Sequence, residues 1–308
     1  MNIRVKNLVK KYGNQAAVDN ISFEVKSGEI LGFLGPNGAG KTTTMKMITC
    51  YMAPTEGDIK LDSYSIRTDQ QQIKKSIGYL PEHNPLYLDM PVIEYLGFAA
   101  TIQGVAKSQV MDRIRQMVGF CGLDKEKHKV IGELSKGYRQ RVGLAQAMIH
   151  DPKVLILDEP TTGLDPNQIV EIRELIRELG QAKTVILSTH ILPEVEATCD
   201  RIVIIKNGKI AADDTPRNLR KQLSGNEVSR IKIEGATQDA AFAALRNLPT
   251  IRLVDWDAIT KSFVVESNSE QQSRRAIFDL CVQNNWYITE MTPIERDLEA
   301  VFRNVTIG

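Results

Sequence analysis

Short apolar runs alternate with helical spacings along the first two thirds of the chain, from residue 1 to about residue 214. Apolar runs of four or five residues are typical of buried strands, and their alternation with helices predicts an α/β unit with a mainly parallel sheet. The clearest predicted strands are residues 30–34, 77–80, 154–157 and 185–188.

Two parts of this unit have a different pattern. Residues 3–5 and 21–25 alternate apolar and polar side chains, which predicts antiparallel strands with one face open to solvent. The apolar run 202–205 is followed by Asn207-Gly208 and a second short strand, which predicts a hairpin with a type I′ turn.

Residues 85–150 lack strand alternation and predict a helical subdomain inserted into the α/β unit. Apolar residues recur there at helical spacing, for example at Val110, Ile114 and Met117. The insertion lies between two predicted strands of the parallel sheet. It is therefore expected to separate those strands along the chain without breaking the sheet itself.

A polar break at residues 224–226 marks a predicted domain boundary, with one domain over 1–220 and a second over 227–308. The second domain reads strand, helix, strand, strand, helix, strand, which is the order of the ferredoxin-like α+β fold. Its predicted strands lie near residues 228–233, 251–254, 263–265 and 286–288. Apolar residues from Ile294 to Val305 recur at helical spacing and predict a final amphipathic helix.

Composition places the chain among ordinary globular proteins, since 42% of its 308 residues are hydrophobic and 25% are charged. The 39 Lys and Arg nearly balance the 38 Asp and Glu, so we expect no nucleic-acid partner. Four widely spaced cysteines without a CxxC pair favour reduced thiols. Neither a signal peptide nor a run of ~18 apolar residues is present. We therefore expect a cytoplasmic protein.

A phosphate-binding pattern, GxxxxGK[ST], follows the predicted strand 30–34 and reads Gly35-Pro36-Asn37-Gly38-Ala39-Gly40-Lys41-Thr42. From Thr43 the chain continues as a predicted helix, so backbone N–H groups and the helix N-terminus are expected to bind the phosphates of ATP. Lys41 is expected to reach the β and γ phosphates, and the Thr42 hydroxyl to bind Mg²⁺. The alternative is an ordinary glycine-rich turn.

Two carboxylates end the apolar strand 154–157. Asp158 at the strand end is suited to the Mg²⁺ shell, and Glu159 is then placed to polarise an attacking water as general base. Capping of a following helix is the alternative for such an acidic pair.

At this point the chain resembles the ATP-binding subunits of ABC transporters, over roughly residues 1–220. The motif that separates this family from other phosphate-loop proteins is matched at Leu134, Ser135 and Gly137, whereas Lys136 and Tyr138 replace the usual glycine and glutamine. Ser135 and the Gly137 backbone at a helix N-terminus form an anion site in this reading. The resemblance implies that this site faces the γ-phosphate held by the other protomer of a dimer.

The resemblance also implies roles for single residues. Tyr12 is expected to stack on adenine, Asp165 to lie on a loop that crosses the dimer, and His190 to contact the γ-phosphate as a switch. Glu82 stands where the family usually has a glutamine that contacts Mg²⁺, so metal contact is expected with an altered charge. The other histidines are expected to be structural or exposed.

The second domain resembles the small accessory domain of gliding-motility and drug-export ATPases, through Leu298-Glu299-Ala300-Val301-Phe302. The resemblance implies an ATPase that dimerises, as a homodimer or with a paired subunit, around two Mg-ATP. It implies a separate membrane permease, export as the direction, and a peripheral location on the inner face of the cell membrane through that permease. The alternatives are a non-transport ATPase acting in DNA repair or on ribosomes, and a small-molecule kinase.

Overall fold

The computed structural model describes residues 1–223, 227–267 and 270–294. The chain divides into two compact units between Pro216 and Arg217, a few residues before the boundary expected from the sequence. The predicted final helix beyond Ile294 lies outside the described residues. Within the described ranges, no helix has the length and apolar character needed to cross a bilayer.

The first unit alternates strands and helices. In chain order its strands are β1 (Ile3–Tyr12), β2 (Gln15–Val25), β3 (Ile30–Leu34), β4 (Glu56–Leu61), β5 (Tyr64–Ser65), β6 (Ile77–Leu80), β7 (Val154–Asp158), β8 (Thr184–Thr189), β9 (Arg201–Lys206) and β10 (Lys209–Asp214). Its helices are α1 (Lys41–Ile48), α2 (Gln70–Ser76), α3 (Val92–Ile102), α4 (Val110–Phe120), α5 (Lys136–Met148), α6 (Pro166–Gly180) and α7 (Leu192–Thr198). Helix α8 (Pro216–Leu223) follows at the division between the units.

The central sheet has the order β10-β9-β3-β8-β7-β6, and its strands from β9 to β6 run parallel. All four strands predicted for this sheet are present, which confirms the α/β class. Strand β10 joins antiparallel to β9 through Asn207 and Gly208, both with positive φ, as a type I′ turn requires. Because β3 is flanked by β8 and by β9, the loop that leaves β3 opens at the middle of the sheet.

A second, antiparallel sheet has the order β2-β1-β4-β5. The predicted pair β1 and β2 is confirmed, whereas β4 and β5 were not predicted. Side chains of both sheets and of α1 form one buried core, which includes Leu8, Phe33, Ile48, Ile59 and Ile156. Burying such a side chain stabilises the fold by about 1.5–3 kcal/mol. This packing fixes α1, and with it the loop that precedes the helix.

The predicted helical insertion consists of α3, α4 and α5, which lie in sequence between the neighbouring strands β6 and β7. Ser135 ends the loop before α5, and its hydroxyl accepts a hydrogen bond from the Tyr138 backbone N–H at 3.4 Å. A side chain at this position satisfies one of the free N–H groups of the first turn.

The second unit contains β11 (Glu227–Glu234), α9 (Gln238–Arg246), β12 (Ile251–Asp257), β13 (Ser262–Ser267), α10 (Glu270–Gln283) and β14 (Tyr287–Pro293). Its antiparallel sheet has the order β12-β13-β11-β14, so both the predicted element order and a ferredoxin-like topology are present. Leu245 of α9, Ile277 of α10 and Phe263 of β13 share one apolar core. Trp256 packs edge to face on Phe263, with ring centroids 4.8 Å apart.

Candidate functional site

The phosphate loop connects β3 to α1 and has a backbone that requires glycine. Gly38 and Gly40 have φ of 78° and 108°, in the left-handed region that residues with a Cβ rarely adopt. A Cβ built on Gly40 would also lie 2.5 Å from the Ala17 carbonyl oxygen. The loop therefore ends at the N-terminus of α1, where free backbone N–H groups and the helix dipole favour an anion.

A cavity of about 360 Å³ opens at this helix N-terminus and collects most of the predicted site residues. Those residues come from the phosphate loop, from the ends of three neighbouring strands and from β2. The lining residues are Ala17, Asn37, Gly38, Gly40, Lys41, Thr42, Thr43, Glu82, Glu159, Thr162 and His190.

Lys41, the first residue of α1, is buried beneath this loop. Its Nζ donates to the carbonyl oxygens of Gly35 at 2.9 Å and Pro36 at 3.3 Å. The same nitrogen lies 3.4 Å from Glu159 Oε1, with both side chains about 6% exposed. The ammonium is thus held inside the loop that would bind phosphate oxygens.

Asp158 ends β7 directly opposite Ser188 of β8 and is fully buried. Its Oδ1 accepts hydrogen bonds from the hydroxyls of Ser188 and of Thr42, the latter at 3.3 Å, whereas its Oδ2 has no hydrogen-bond partner among the described residues. Burial raises the pKa of Asp158, and the nearby carboxylates of Glu82 and Glu159 raise it further, against the two hydrogen bonds. A cation bound at Oδ2 would supply the missing contact and would offset the repulsion between Asp158 and the nearby carboxylates.

The oxygen donors beside the phosphate loop suit Mg²⁺. Thr42 offers a hydroxyl, Asp158 an unpartnered buried oxygen, and Glu82 a carboxylate on the cavity wall. Among the described residues, no three His, Cys, Asp or Glu side chains are grouped so as to hold a metal alone. Mg²⁺ is usually bound by one or two carboxylates together with substrate phosphates, which is what this donor set permits.

Glu159 follows Asp158 in a left-handed conformation with φ of 50°. Its carboxylate accepts a hydrogen bond from Thr162 Oγ1 at 3.1 Å. The Nδ1 of His190 lies 2.9 Å from Glu159 Oε2 and 3.1 Å from Oε1. Because β7 and β8 are parallel neighbours, the residues that follow them meet at one edge of the sheet. A carboxylate, an imidazole and an ammonium are therefore in contact beside the phosphate loop.

Eight predicted site residues are absent from the lining of this cavity. Asp158 is one of them, although its Oδ1 lies 3.3 Å from Thr42 Oγ1 on the cavity wall, and three others belong to the phosphate loop. The remaining four lie elsewhere. Tyr12 is half exposed at the end of β1, where its hydroxyl is 3.0 Å from Met52 Sδ. Ser135 and Gly137 lie at the start of α5, and Asp165 accepts a hydrogen bond from the Gln168 N–H at 3.0 Å as the cap of α6. Their roles toward nucleotide stay predictions. Gly35, Pro36 and Ala39 complete the backbone of the loop without lining the cavity.

Three contacts were not predicted from the sequence. Ser188 donates to Asp158, Thr162 donates to Glu159, and Ala17 of β2 lines the cavity. The sequence does indicate a role for Ser188, because it is a polar residue at the end of an apolar strand, two positions before His190. Ala17 carries no such signal, since only the packing of the two sheets brings it to the loop.

The phosphate loop lies between a strand and a helix, and an acidic pair stands at the end of a nearby parallel strand. This arrangement defines a P-loop nucleoside triphosphatase. The ABC transporter family model matches residues 18–162. An uncharacterised ABC transporter ATP-binding protein of Bacillus subtilis is 36% identical over 99% of this chain and 95% of its own length. A bacitracin transport ATP-binding protein of Bacillus licheniformis is 34% identical, over 97% and 95% respectively.

Solved structures agree with this assignment. An ATP-binding subunit of an ABC transporter superposes with a TM-score of 0.66 at 31% identity, covering 78% of this chain and 97% of its own. A dimeric ATP-binding cassette in a post-hydrolysis state, bound to ADP and Pi, gives a TM-score of 0.63 at 25% identity, covering 69% and 98%. The chain belongs to the family of ABC transporter ATP-binding proteins, and it is an ATPase subunit rather than a small-molecule kinase.

Proposed function

We propose that Glu159 is the general base of ATP hydrolysis in this subunit. One observation carries the proposal: Thr162, His190 and Lys41 together hold the Glu159 carboxylate in the cavity at the phosphate loop. A carboxylate there can accept the proton of an attacking water, and His190 is suited to hold that carboxylate and to contact the γ-phosphate. Lys41 binds the β and γ phosphates, together with the backbone N–H groups that the loop from Gly35 to Thr43 offers at every position except Pro36.

Thr42, Asp158 and Glu82 hold Mg²⁺ in this proposal. When bound, Mg²⁺ neutralises charge on the β and γ phosphate oxygens. Ser188 orients Asp158 through its hydroxyl, so that the unpartnered Oδ2 stays available. Glu82 brings a full charge where a glutamine would bring an amide oxygen, which strengthens attraction for a divalent cation.

The subunit acts as a dimer around two Mg-ATP, and a second protomer completes each site. This is supported by the position of Ser135, Gly137 and Asp165 outside the cavity of their own chain, at or beside helix N-termini. In a dimer, Ser135 and the Gly137 N–H contact the γ-phosphate of the partner's ATP, and Asp165 lies on the loop that crosses the interface. Tyr12, exposed at the end of β1, stacks on the adenine.

ATP-driven opening and closing of this dimer powers a separate membrane permease, to which the subunit binds on the inner face of the membrane. Export is supported by relatives named for bacitracin transport in Bacillus licheniformis and linearmycin resistance in Bacillus subtilis. The latter is 30% identical over 99% of this chain and 98% of its own length. The transported compound is selected by the permease.

The test of the proposed base is Glu159→Gln, with the exposed Glu174→Gln on α6 as matched control. Loss of a general base lowers the rate by roughly 100-fold or more, while the phosphate loop is left intact. We therefore expect ATP binding to persist and a closed dimer to accumulate with ATP and Mg²⁺, seen by light scattering. The control should hydrolyse ATP like the parent. Turnover of Glu159→Gln near the parent rate would remove Glu159 from the role.

A further inference from the structure

Lys136, the first residue of α5, occupies an electrostatically unfavourable place. The N-terminus of a helix favours anions, the first turn of α5 holds no acidic residue, and Lys136 makes no hydrogen bond or ion pair with any described residue. Its side chain instead extends across Gly163, in the loop between β7 and α6. A Cβ built on Gly163 would clash with Nζ at the exposed end of Lys136 and would lie 3.2 Å from Cε.

Gly163 is suited to this contact in two ways. With no side chain it leaves room for the lysine, and its φ of 73° is in the left-handed region. The contact has a counterpart one residue further along α5, because a Cβ built on Gly137 would lie 2.5 Å from Gln168 Cδ of α6. The side chain of Lys136 thus lies over Gly163, and that of Gln168 lies over Gly137. These two contacts join the start of α5 to the loop and to α6. We call these four residues the clasp.

The clasp is connected to the proposed base through the loop itself. Glu159 to Asp165 form a tight turn, in which the Thr162 N–H donates to the Glu159 carbonyl at 3.2 Å and the Leu164 N–H to the Thr161 carbonyl at 3.1 Å. Thr162, the neighbour of Gly163, also donates its hydroxyl to the Glu159 carboxylate. One residue, Thr162, thus separates Gly163 from a hydrogen bond to the Glu159 carboxylate.

We propose that Lys136 is a positioning residue for ATP hydrolysis: by lying across Gly163 it holds the loop 160–165, and through Thr162 the Glu159 carboxylate, against the start of α5. The proposal rests on the proposed role of Glu159. The positioning effect comes from packing of the Lys136 side chain, because the Lys136 ammonium has no charged partner in the described part of the chain. A lysine that instead contacts the partner's phosphate would act through its charge.

Two substitutions separate packing from charge. Lys136→Met keeps a long side chain over Gly163, whereas Lys136→Ala removes it without disturbing the helix. For Lys136→Ala we expect exchange of the backbone N–H groups of residues 161–165 in the nucleotide-free protein to become roughly fivefold faster. The kcat should fall by about fivefold with KM for ATP unchanged, because the base is displaced and the phosphate loop is not. Lys136→Met should stay near the parent in both measurements.

The exposed Lys107 provides the control, Lys107→Ala, since it lies between α3 and α4 and is not among the described residues that line the cavity. Equal losses in Lys136→Ala and Lys136→Met, diminishing at high salt, would overturn the proposal in favour of a charge contact. Parent-like exchange and kcat in Lys136→Ala would overturn it as well. Exchange at 161–165 is read without hydrolysis, so failure of Glu159 as base is seen separately, in the Glu159→Gln assay.

A double-mutant cycle tests the contact itself. Gly163→Ala introduces left-handed strain and also a Cβ that would clash with Lys136 Nζ and lie 3.2 Å from Cε. Gly104→Ala, at φ of 78° with no atom within 4 Å of the new Cβ, introduces the strain alone. We expect the urea midpoint of nucleotide-free Gly163→Ala to fall further than that of Gly104→Ala. In the Lys136→Ala background the extra fall should disappear. Additive effects of the two substitutions would contradict the contact.

Discussion

Lys41 Nζ lies 3.4 Å from Glu159 Oε1, so the lysine of the phosphate loop and the proposed base form a buried ion pair. The same nitrogen is shared with the carbonyls of Gly35 and Pro36. Phosphate oxygens bound in the cavity would compete for this ammonium, so we expect binding of ATP to release the Glu159 carboxylate from one of its contacts. Through this ion pair, we expect nucleotide bound in the phosphate loop to loosen the contact that holds the proposed base.

Lys41→Ala is expected to weaken ATP binding and hydrolysis together, since in the proposed function Lys41 contacts phosphate in both the ground state and the transition state. The dissociation constant for ATP, measured by calorimetry, should rise at least tenfold, or ~1.4 kcal/mol. The nucleotide-free protein should also lose about 3 kcal/mol of unfolding free energy, because Glu159 is left buried without its cation.

A second variant checks the cause of that destabilisation. Lys41→Ala with Glu159→Gln removes both charges, so its unfolding free energy should recover most of the loss while ATP binding stays weak. If the double variant is as unstable as Lys41→Ala, the destabilisation comes from lost packing and not from an unpaired carboxylate.

Glu82→Gln should weaken the metal site. The substitution removes one negative charge from a wall shared with Asp158 and Glu159. The Mg²⁺ concentration for half-maximal hydrolysis at saturating ATP should rise about tenfold, or ~1.4 kcal/mol. Binding of Mn²⁺ with ATP, followed by electron paramagnetic resonance, should weaken in parallel. An unchanged metal dependence would place Glu82 outside the metal shell, with Glu174→Gln again as control.

His150 should make stability depend on pH. Its Nε2 lies 3.2 Å from the Ile77 carbonyl, and its Nδ1 is buried with no hydrogen-bond partner in the described part of the chain. Burial lowers the pKa of His150, and Arg113 and Lys183 lower it further. The unfolded chain, with a pKa near 6.5, therefore binds more protons than the folded protein below about pH 6.5. The stability linked to His150 is complete above that pH and is lost on acidification.

His150→Gln should accordingly flatten the pH dependence of urea unfolding between about pH 6.5 and 5, by at most one proton or ~1.4 kcal/mol per pH unit. The exposed His128→Gln should leave the slope unchanged. An equal slope in the parent and in His150→Gln would mean that His150 titrates normally.

Elements with a clear apolar pattern were predicted, and those formed mainly by tertiary pairing were not. Strands β3, β6, β7 and β8 are nearly continuous apolar runs, because a parallel sheet buries both of its faces. Strand β4 reads Glu-Gly-Asp-Ile-Lys-Leu, and its two apolar residues become recognisable only when they pair with β1 and pack in the core.

The site could be predicted as far as local motifs reach. The phosphate loop and the pair Asp158 and Glu159 are local, so spacing alone indicated them. The contact of Lys136 with Gly163 joins two loops distant in sequence, and no periodicity reports such a contact. The sequence shows Lys136 only as a departure from the family motif, and only the fold of the chain shows the glycine against which its side chain lies.

Both tryptophans, Trp256 and Trp286, belong to the second unit, and Trp256 packs on Phe263 in its core. Selective excitation of tryptophan fluorescence therefore reports the unfolding of the second unit alone, while far-ultraviolet circular dichroism reports the helices of both. Denaturation curves that coincide for the two signals mean that the units unfold as one cooperative block; curves that separate give the stability of each unit without cutting the chain.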